Sequence, residues 1–196
     1  MKSKIIRLPN PLLRQTSKKI GLINDRVKNL VAEMIDQAKA WEISRQHEIT
    51  VGLAAIQIGQ PLKIIIVRSD FNPQSSPDFE VLINPKITKS FGEQIIQPEG
   101  CLSVPNYYAP IQRFDKIQLT ALNLDGQNFK IKAEGFAARV LQHEVDHLKG
   151  IMTVDQAVEY TDSMGQTFNF AQLNQQGQLE AVNQKEVIKS GILNYE

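Results

Sequence analysis

From Val27 to Ala38 the apolar residues Val27, Leu30, Val31, Met34, Ile35 and Ala38 recur at three- and four-residue steps, the mark of a single buried helical face. Asn24 or Asp25 stands where such a helix would be capped, so the pattern predicts a helix beginning there. From Trp41 to Thr50 the periodicity dissolves into polar, irregular sequence that reads as a solvated loop. His47 lies in it among Arg45, Gln46 and Glu48, and a lone histidine in such a segment reads as exposed.

Beyond the loop, the β-branched run Lys63–Val67 has the look of a buried strand, and "EVLINPKIT" resumes strand character after the Pro-, Asn- and Ser-rich "RSDFNPQSSPD". Lys116 to Lys132 alternates around Asp125-Gly126, a hairpin signal. A second helix is predicted from Ala133 to Leu148, with Lys149 in its last turn and Gly150 at its C-terminal cap. Phe136, Val140, His143 and His147 fall at steps of four, three and four along it, one face of one helix. Short strands between two helices indicate an α+β fold. After Asp155 the chain turns rich in Gln and Asn, with an amphipathic piece near Glu186 to Leu193, so the expected division is a catalytic domain over 1–155 and an extension over 156–196.

Composition narrows the picture by exclusion. A net charge of +1 on 196 residues gives no electrostatic reason to expect nucleic acid as a partner. No apolar run reaches the length of a signal peptide core or a membrane span. Cys101 is the single cysteine, which suits a reducing compartment and predicts a cytoplasmic protein.

The chemistry concentrates in "QHEVDH", Gln142 to His147, which takes two of the chain's three histidines. His143 and His147 are one turn apart, so both imidazoles can face one ion, and Glu144, about one hundred degrees round the helix from His143, can reach a water beside that ion. The competing reading is a structural histidine pair satisfied by backbone or carboxylate partners. A catalytic site needs a third protein ligand and an open position. Cys101, within "EGCLSVP", is the better candidate for it than the downstream acids Asp155 and Glu159, although most free cysteines are small buried hydrophobes. Asp146 lies beside the histidines with Arg113 as a charge partner, a pair that would orient the helix. Gln57, in "VGLAAIQIGQ", is an uncharged donor suited to an oxyanion, yet on composition alone it reads as a surface residue at a turn.

Three segments taken together resemble the peptide deformylases: "TVGLAAIQ" (Thr50 to Gln57), "EGCLS" (Glu99 to Ser103) and "QHEVDH", in that family's order. The resemblance runs from "IIRLPNPLLRQTSKKI" to "GIMTVD" at Asp155. It implies small antiparallel or mixed sheets around a central metal-binding helix, and removal of the N-formyl group from formyl-methionyl peptides with release of formate. Carried over, it makes Cys101, His143 and His147 the metal ligands and Glu144 the acid/base. Gln57 and the Leu102 backbone N–H become oxyanion donors, and the backbone around Gly52 and Leu53 becomes the edge along which the peptide lies. It further implies one divalent ion, Fe(II) natively, with Zn, Ni or Co accepted in its place, and formylated nascent peptides met in a transient contact with the ribosome.

Phe136 and Val140, one and two turns before His143, are expected to line the methionine pocket. Three positions and the tail depart from the family pattern: Tyr108 stands where a basic residue is often found, and the tail after Gln156 does not match the basic C-terminal helix that some members dock on the ribosome. Thr50 replaces a glycine, which would put a side chain on the rim of the groove, and Gln97 stands where an apolar pocket residue is usual. Three rival readings stay open on the residues alone: a Cys101-nucleophile hydrolase, a zinc endopeptidase, and a binding protein without turnover.

Overall fold

In the computed structural model the residues described are 5–44, 49–72, 74, 78–174 and 177–189; His47 and the end of the amphipathic piece expected near Leu193 lie outside them. Helix α1 spans Asp25–Ser44 and starts where Asn24 Oδ1 accepts from the Val27 N–H at 3.3 Å. It runs through Trp41 and on to Ser44, where a loop was expected. Trp41 continues the apolar face one turn past Ala38 and is 2% exposed, which outweighs the polar sequence around it. Glu42 makes that extension useful by accepting from the Thr50 N–H at 2.9 Å and from Arg68 Nη1 at 2.6 Å.

Strands β1 (Gly52–Ala54) and β2 (Ile64–Arg68) follow, separated by a 3-10 turn over Ala55–Ile58. β2 is apolar from Ile64 to Val67 because both of its faces are covered. Ile64 and Ile66 pack with α1, while Ile65 and Val67 face the second helix, the two-residue alternation of a strand. β3 (Phe79–Cys101) and β4 (Val104–Leu122) are far longer than the sequence pattern suggested. Their ladder is broken between Ile83 and Lys86, Ile87 and Lys89, Phe91 and Gln94, and Gly100 and Cys101. Each break scrambles the inside-outside alternation that would have exposed the strands in sequence, and bulges of this kind bend a strand pair.

β5 (Asn128–Glu134) pairs with β4. The connecting hairpin closes where the Asn123 N–H donates to Gln127 O at 3.0 Å, with Gly126 at φ +78°. That leaves a longer loop than the two-residue turn Asp125-Gly126 suggests, with glycine at its left-handed position. Helix α2 covers Gly135–His147, two residues later than predicted, because Ala133 and Glu134 remain paired to Ile117 and Lys116.

Past Asp155 come β6 (Tyr160–Thr161), β7 (Thr167–Phe168), β8 (Ala171–Leu173), β9 (Leu179–Ala181) and α3 (Gln184–Lys189). The class is α+β: seven strands join one antiparallel sheet in the path β1-β2-β3-β4-β8-β9 with β5 also on β4, and β6 and β7 form a second sheet of two strands. α2 buries Ala138, Val140, Leu141, Val145 and Leu148 against it. No helix among the described residues is long and apolar enough to cross a membrane.

Candidate metal centre

α2 presents His143 and His147 one turn apart to the end of β3, where Cys101 sits. The sulfur and one ring nitrogen of each imidazole lie within 4.8 Å of one another. His147 Nε2 is 3.4 Å from Cys101 Sγ and 3.1 Å from His143 Nε2. Three ligand atoms thus converge on one point.

Glu99 fixes how they converge. Its Oε2 lies 3.0 Å from His143 Nδ1, so the carboxylate accepts from Nδ1–H, which leaves Nε2 to face the cluster. The same carboxylate takes two bonds from Arg113, Nε and Nη2 each at 3.0 Å, and one from Arg139 Nη1 at 2.7 Å. Arg113 also reaches Asp146 Oδ2 at 2.5 Å, and Arg139 donates to Ile95 O and Ile111 O. Burial alone would raise the Glu99 carboxyl, but its bonds to His143 and Arg113 outweigh that and lower it to about 2. Asp146 is likewise held down against its burial, by Arg113.

The two imidazoles are driven apart. Burial, reinforced by His143 and Arg113, holds His147 well below the usual histidine range. His143 is raised despite its burial, through Cys101 and Glu99. One thiol and two imidazoles form a donor set suited to zinc or ferrous iron, and the residues present fit such an ion.

Glu144 stands on the other side of His143 in a different setting. It is 3% exposed, and its Oε2 has no hydrogen-bond partner among the described residues. Burial is the main reason its carboxyl is raised to about 7. It packs against Gly52, where an added Cβ would come 2.5 Å from Oε1 and 2.8 Å from Cγ. Gly52 is thus required by the glutamate itself, a constraint that the sequence reading, which assigned Gly52 to the peptide edge, did not contain.

Gln57 is not a surface residue; it is 1% exposed. The 3-10 turn holds it inward, Oε1 accepting from the Ala54 N–H at 2.9 Å, while Nε2 points to Ser103 Oγ at 3.2 Å and Cys101 Sγ at 3.7 Å. A cavity of about 350 Å³ opens onto the cluster, lined among others by Gly52, Gln57, Leu102, Phe136, Val140 and Glu144. Phe136 is half exposed at 51%, so the buried stripe expected on α2 begins at Val140. Its ring packs edge-on against Phe71 with centroids 5.0 Å apart.

The side chains of two residues expected to bind substrate do not face this cavity. Leu53 is fully buried in the core under α1, because strand alternation turns it away from the side shared by Gly52 and Glu144. Gln97 is exposed and absent from the lining, which takes Pro98 and Glu99 from that part of β3 instead. Thr50 is not on the rim either. It is buried, its Oγ1 donating to Ala38 O at 3.1 Å, and it ties β1 to α1.

Glu99 and Arg139 were missed, although a signal existed. Glu99 and Cys101 are two apart on a strand and share a face, while Arg139 and His143 are four apart on a helix and share another.

The polypeptide deformylase family profile matches residues 2–163. The chain is 42% identical over 157 residues to the peptide deformylase of Dictyoglomus thermophilum, covering 80% of this chain and 94% of that one. To the Aquifex aeolicus enzyme it is 40% identical over 151 residues, 77% and 85% of the two chains. Among solved structures, the Legionella pneumophila peptide deformylase superposes with a TM-score of 0.69 at 33% identity, over 81% of this chain and 87% of that one. The Synechococcus elongatus peptide deformylase, solved in complex with actinonin, gives 0.69 at 28% over 82% and 80%. The chain belongs to the polypeptide deformylase family, metal-dependent hydrolases that remove the N-formyl group from formyl-methionyl peptides.

Proposed function

We propose that Cys101, His143 and His147 hold one divalent ion, ferrous iron natively with zinc, nickel or cobalt as substitutes, and that Glu144 is the acid/base of deformylation. The observation that carries this reading is the buried Glu144 carboxylate with an unpartnered oxygen beside three converging ligand atoms. The ion supplies Lewis acidity, making a water easier to deprotonate and the formyl carbonyl more electrophilic. Glu144 takes the proton from the attacking water and returns it to the amine nitrogen as the formamide C–N bond breaks. Its raised proton affinity suits both transfers.

Gln57 Nε2 and the Leu102 backbone N–H donate to the carbonyl oxygen as it becomes negative. Gln57 is held for this by its own Oε1, which is engaged with the Ala54 N–H. The backbone at Gly52 and Leu53 offers the edge for the peptide, and Phe136 and Val140 receive the methionine side chain. Arg113 and Asp146 keep α2 in register with β4. The substrates are formyl-methionyl nascent chains, met in the cytoplasm through transient contact with the ribosome.

The test is formate release from a formyl-Met tripeptide by anaerobically purified protein, with metal analysis, comparing wild type and Glu144→Ala. Activity confined to metal-loaded wild type supports the reading. Turnover that persists after chelation and stops on Cys101 alkylation supports a cysteine hydrolase instead. Full activity after aerobic storage would remove iron as the native ion.

A further inference from the structure

The family match ends at residue 163, yet the chain after it returns to the metal centre. β8 pairs antiparallel with β4, Tyr107 opposite Gln172 and Tyr108 opposite Ala171, and β9 completes a hairpin with Leu179 opposite Leu173. Phe170 and Val187 are buried in the same cluster as Cys101, Val104 and Ala109. The Val182 N–H donates to Phe170 O at 2.8 Å. These contacts anchor the hairpin to the strand pair that carries Cys101.

Leu173, at the end of β8, consequently reaches the lining of the catalytic cavity beside Asn106, Tyr107 and Tyr108. It is 40% exposed, so it has apolar surface left to bury on a bound molecule. The Tyr108 ring lies against Gly100, where an added Cβ would meet it at 2.9 Å, and Gly100 lines the same cavity. Phe136 and Val140 close the cavity from α2. Leu173 and the two tyrosines close it from β4 and β8.

We propose that the C-terminal hairpin is part of the peptide groove, with Leu173, Tyr107 and Tyr108 forming an apolar subsite for the residues that follow the formylated one. The assignment rests on the deformylase reading, since it concerns the same cavity. It makes Leu173 a specificity residue contributed by a segment outside the family match.

The test uses full-length, metal-loaded wild type, Leu173→Ser and Leu173→Glu, with formyl-Met amide, formyl-Met-Leu-Leu and formyl-Met-Lys-Lys as substrates. Leu173→Ser is expected to raise KM for formyl-Met-Leu-Leu relative to formyl-Met amide by about fivefold, with the change in KM and not in kcat. Leu173→Glu is expected to shift preference from the Leu-Leu toward the Lys-Lys peptide, a gain that general damage would not produce. Each ratio is taken within one preparation, so loss of folded enzyme cancels. Ratios within twofold of wild type in both variants would overturn the subsite. Absence of formate release from every substrate by wild type would instead overturn the deformylase reading.

Discussion

Glu99 and Glu144 flank the same imidazole, both in the interior, and their surroundings push them in opposite directions. Around Glu99, two arginines and the His143 ring saturate the carboxylate, which stays ionised down to about pH 2. Around Glu144 there is glycine, apolar surface and an unfilled oxygen, and the proton is held until about pH 7. A carboxylate with all of its lone pairs engaged is a strut, whereas one left partly desolvated and unpaired is a reagent. The same residue type is suited to positioning at Glu99 and to the proton transfer proposed for Glu144.

The contrast is broken most severely by Glu144→Gln, which keeps the shape and removes the basicity. A loss of about a thousandfold in kcat is expected, with metal content at the wild-type level by elemental analysis. Gly52→Ala attacks the same side indirectly, because its Cβ would overlap Glu144 and move the carboxyl. A drop of about a hundredfold in kcat follows from such a displacement, and a crystal structure of the variant should show the Glu144 side chain rotated from its present site.

Glu99→Gln tests the other side. Metal affinity should fall about ten- to a hundredfold, measured by competition with a chromophoric chelator. The variant should also lose about 3 kcal/mol in denaturant unfolding, since buried Arg139 loses its counter-charge and Arg113 keeps only Asp146. The pH dependence sharpens this. A carboxyl lowered from its unfolded value of 4.5 to about 2 contributes stability that is complete above the unfolded value and disappears as pH falls through the folded one. Wild type should therefore lose stability relative to Glu99→Gln between about pH 4.5 and pH 2. Parallel unfolding curves across that window would show that Glu99 is not the strut described. The smallest effect is expected from Thr50→Gly: about 1 kcal/mol of stability from the lost bond to Ala38 O, with KM for formyl peptides unchanged.

Local chemistry was legible in the sequence wherever it depended on spacing along one element. His143, Glu144 and His147 are an example, since helix geometry alone relates them. β2 was legible too, because a strand covered on both faces is apolar throughout. Glu99 was in view inside "EGCLS" but carried no visible role, as its partners come from α2 and from β4 and meet it only in the folded sheet. β3 and β4 were underestimated because bulges interrupt their alternation, and α1 because Trp41 outweighs its polar neighbours. Leu53 and Gln97 show a related limit: a motif indicates which backbone approaches the substrate, not which way each side chain turns. The Gln- and Asn-rich tail has too few apolar residues to declare strands by itself. It acquires them by docking Phe170 and Val187 onto a core that already exists.

The near-complete enclosure of two of the three proposed ligands would govern how an ion comes and goes. Cys101 is 7% and His147 1% exposed, and Cys101 is walled behind by Val104, Met152 and Phe170. Exchange therefore proceeds through the peptide cavity or waits for the fold to open locally. A peptide in that cavity would stand in the path of an ion held as proposed, so bound substrate should slow stripping of the metal by a chelator.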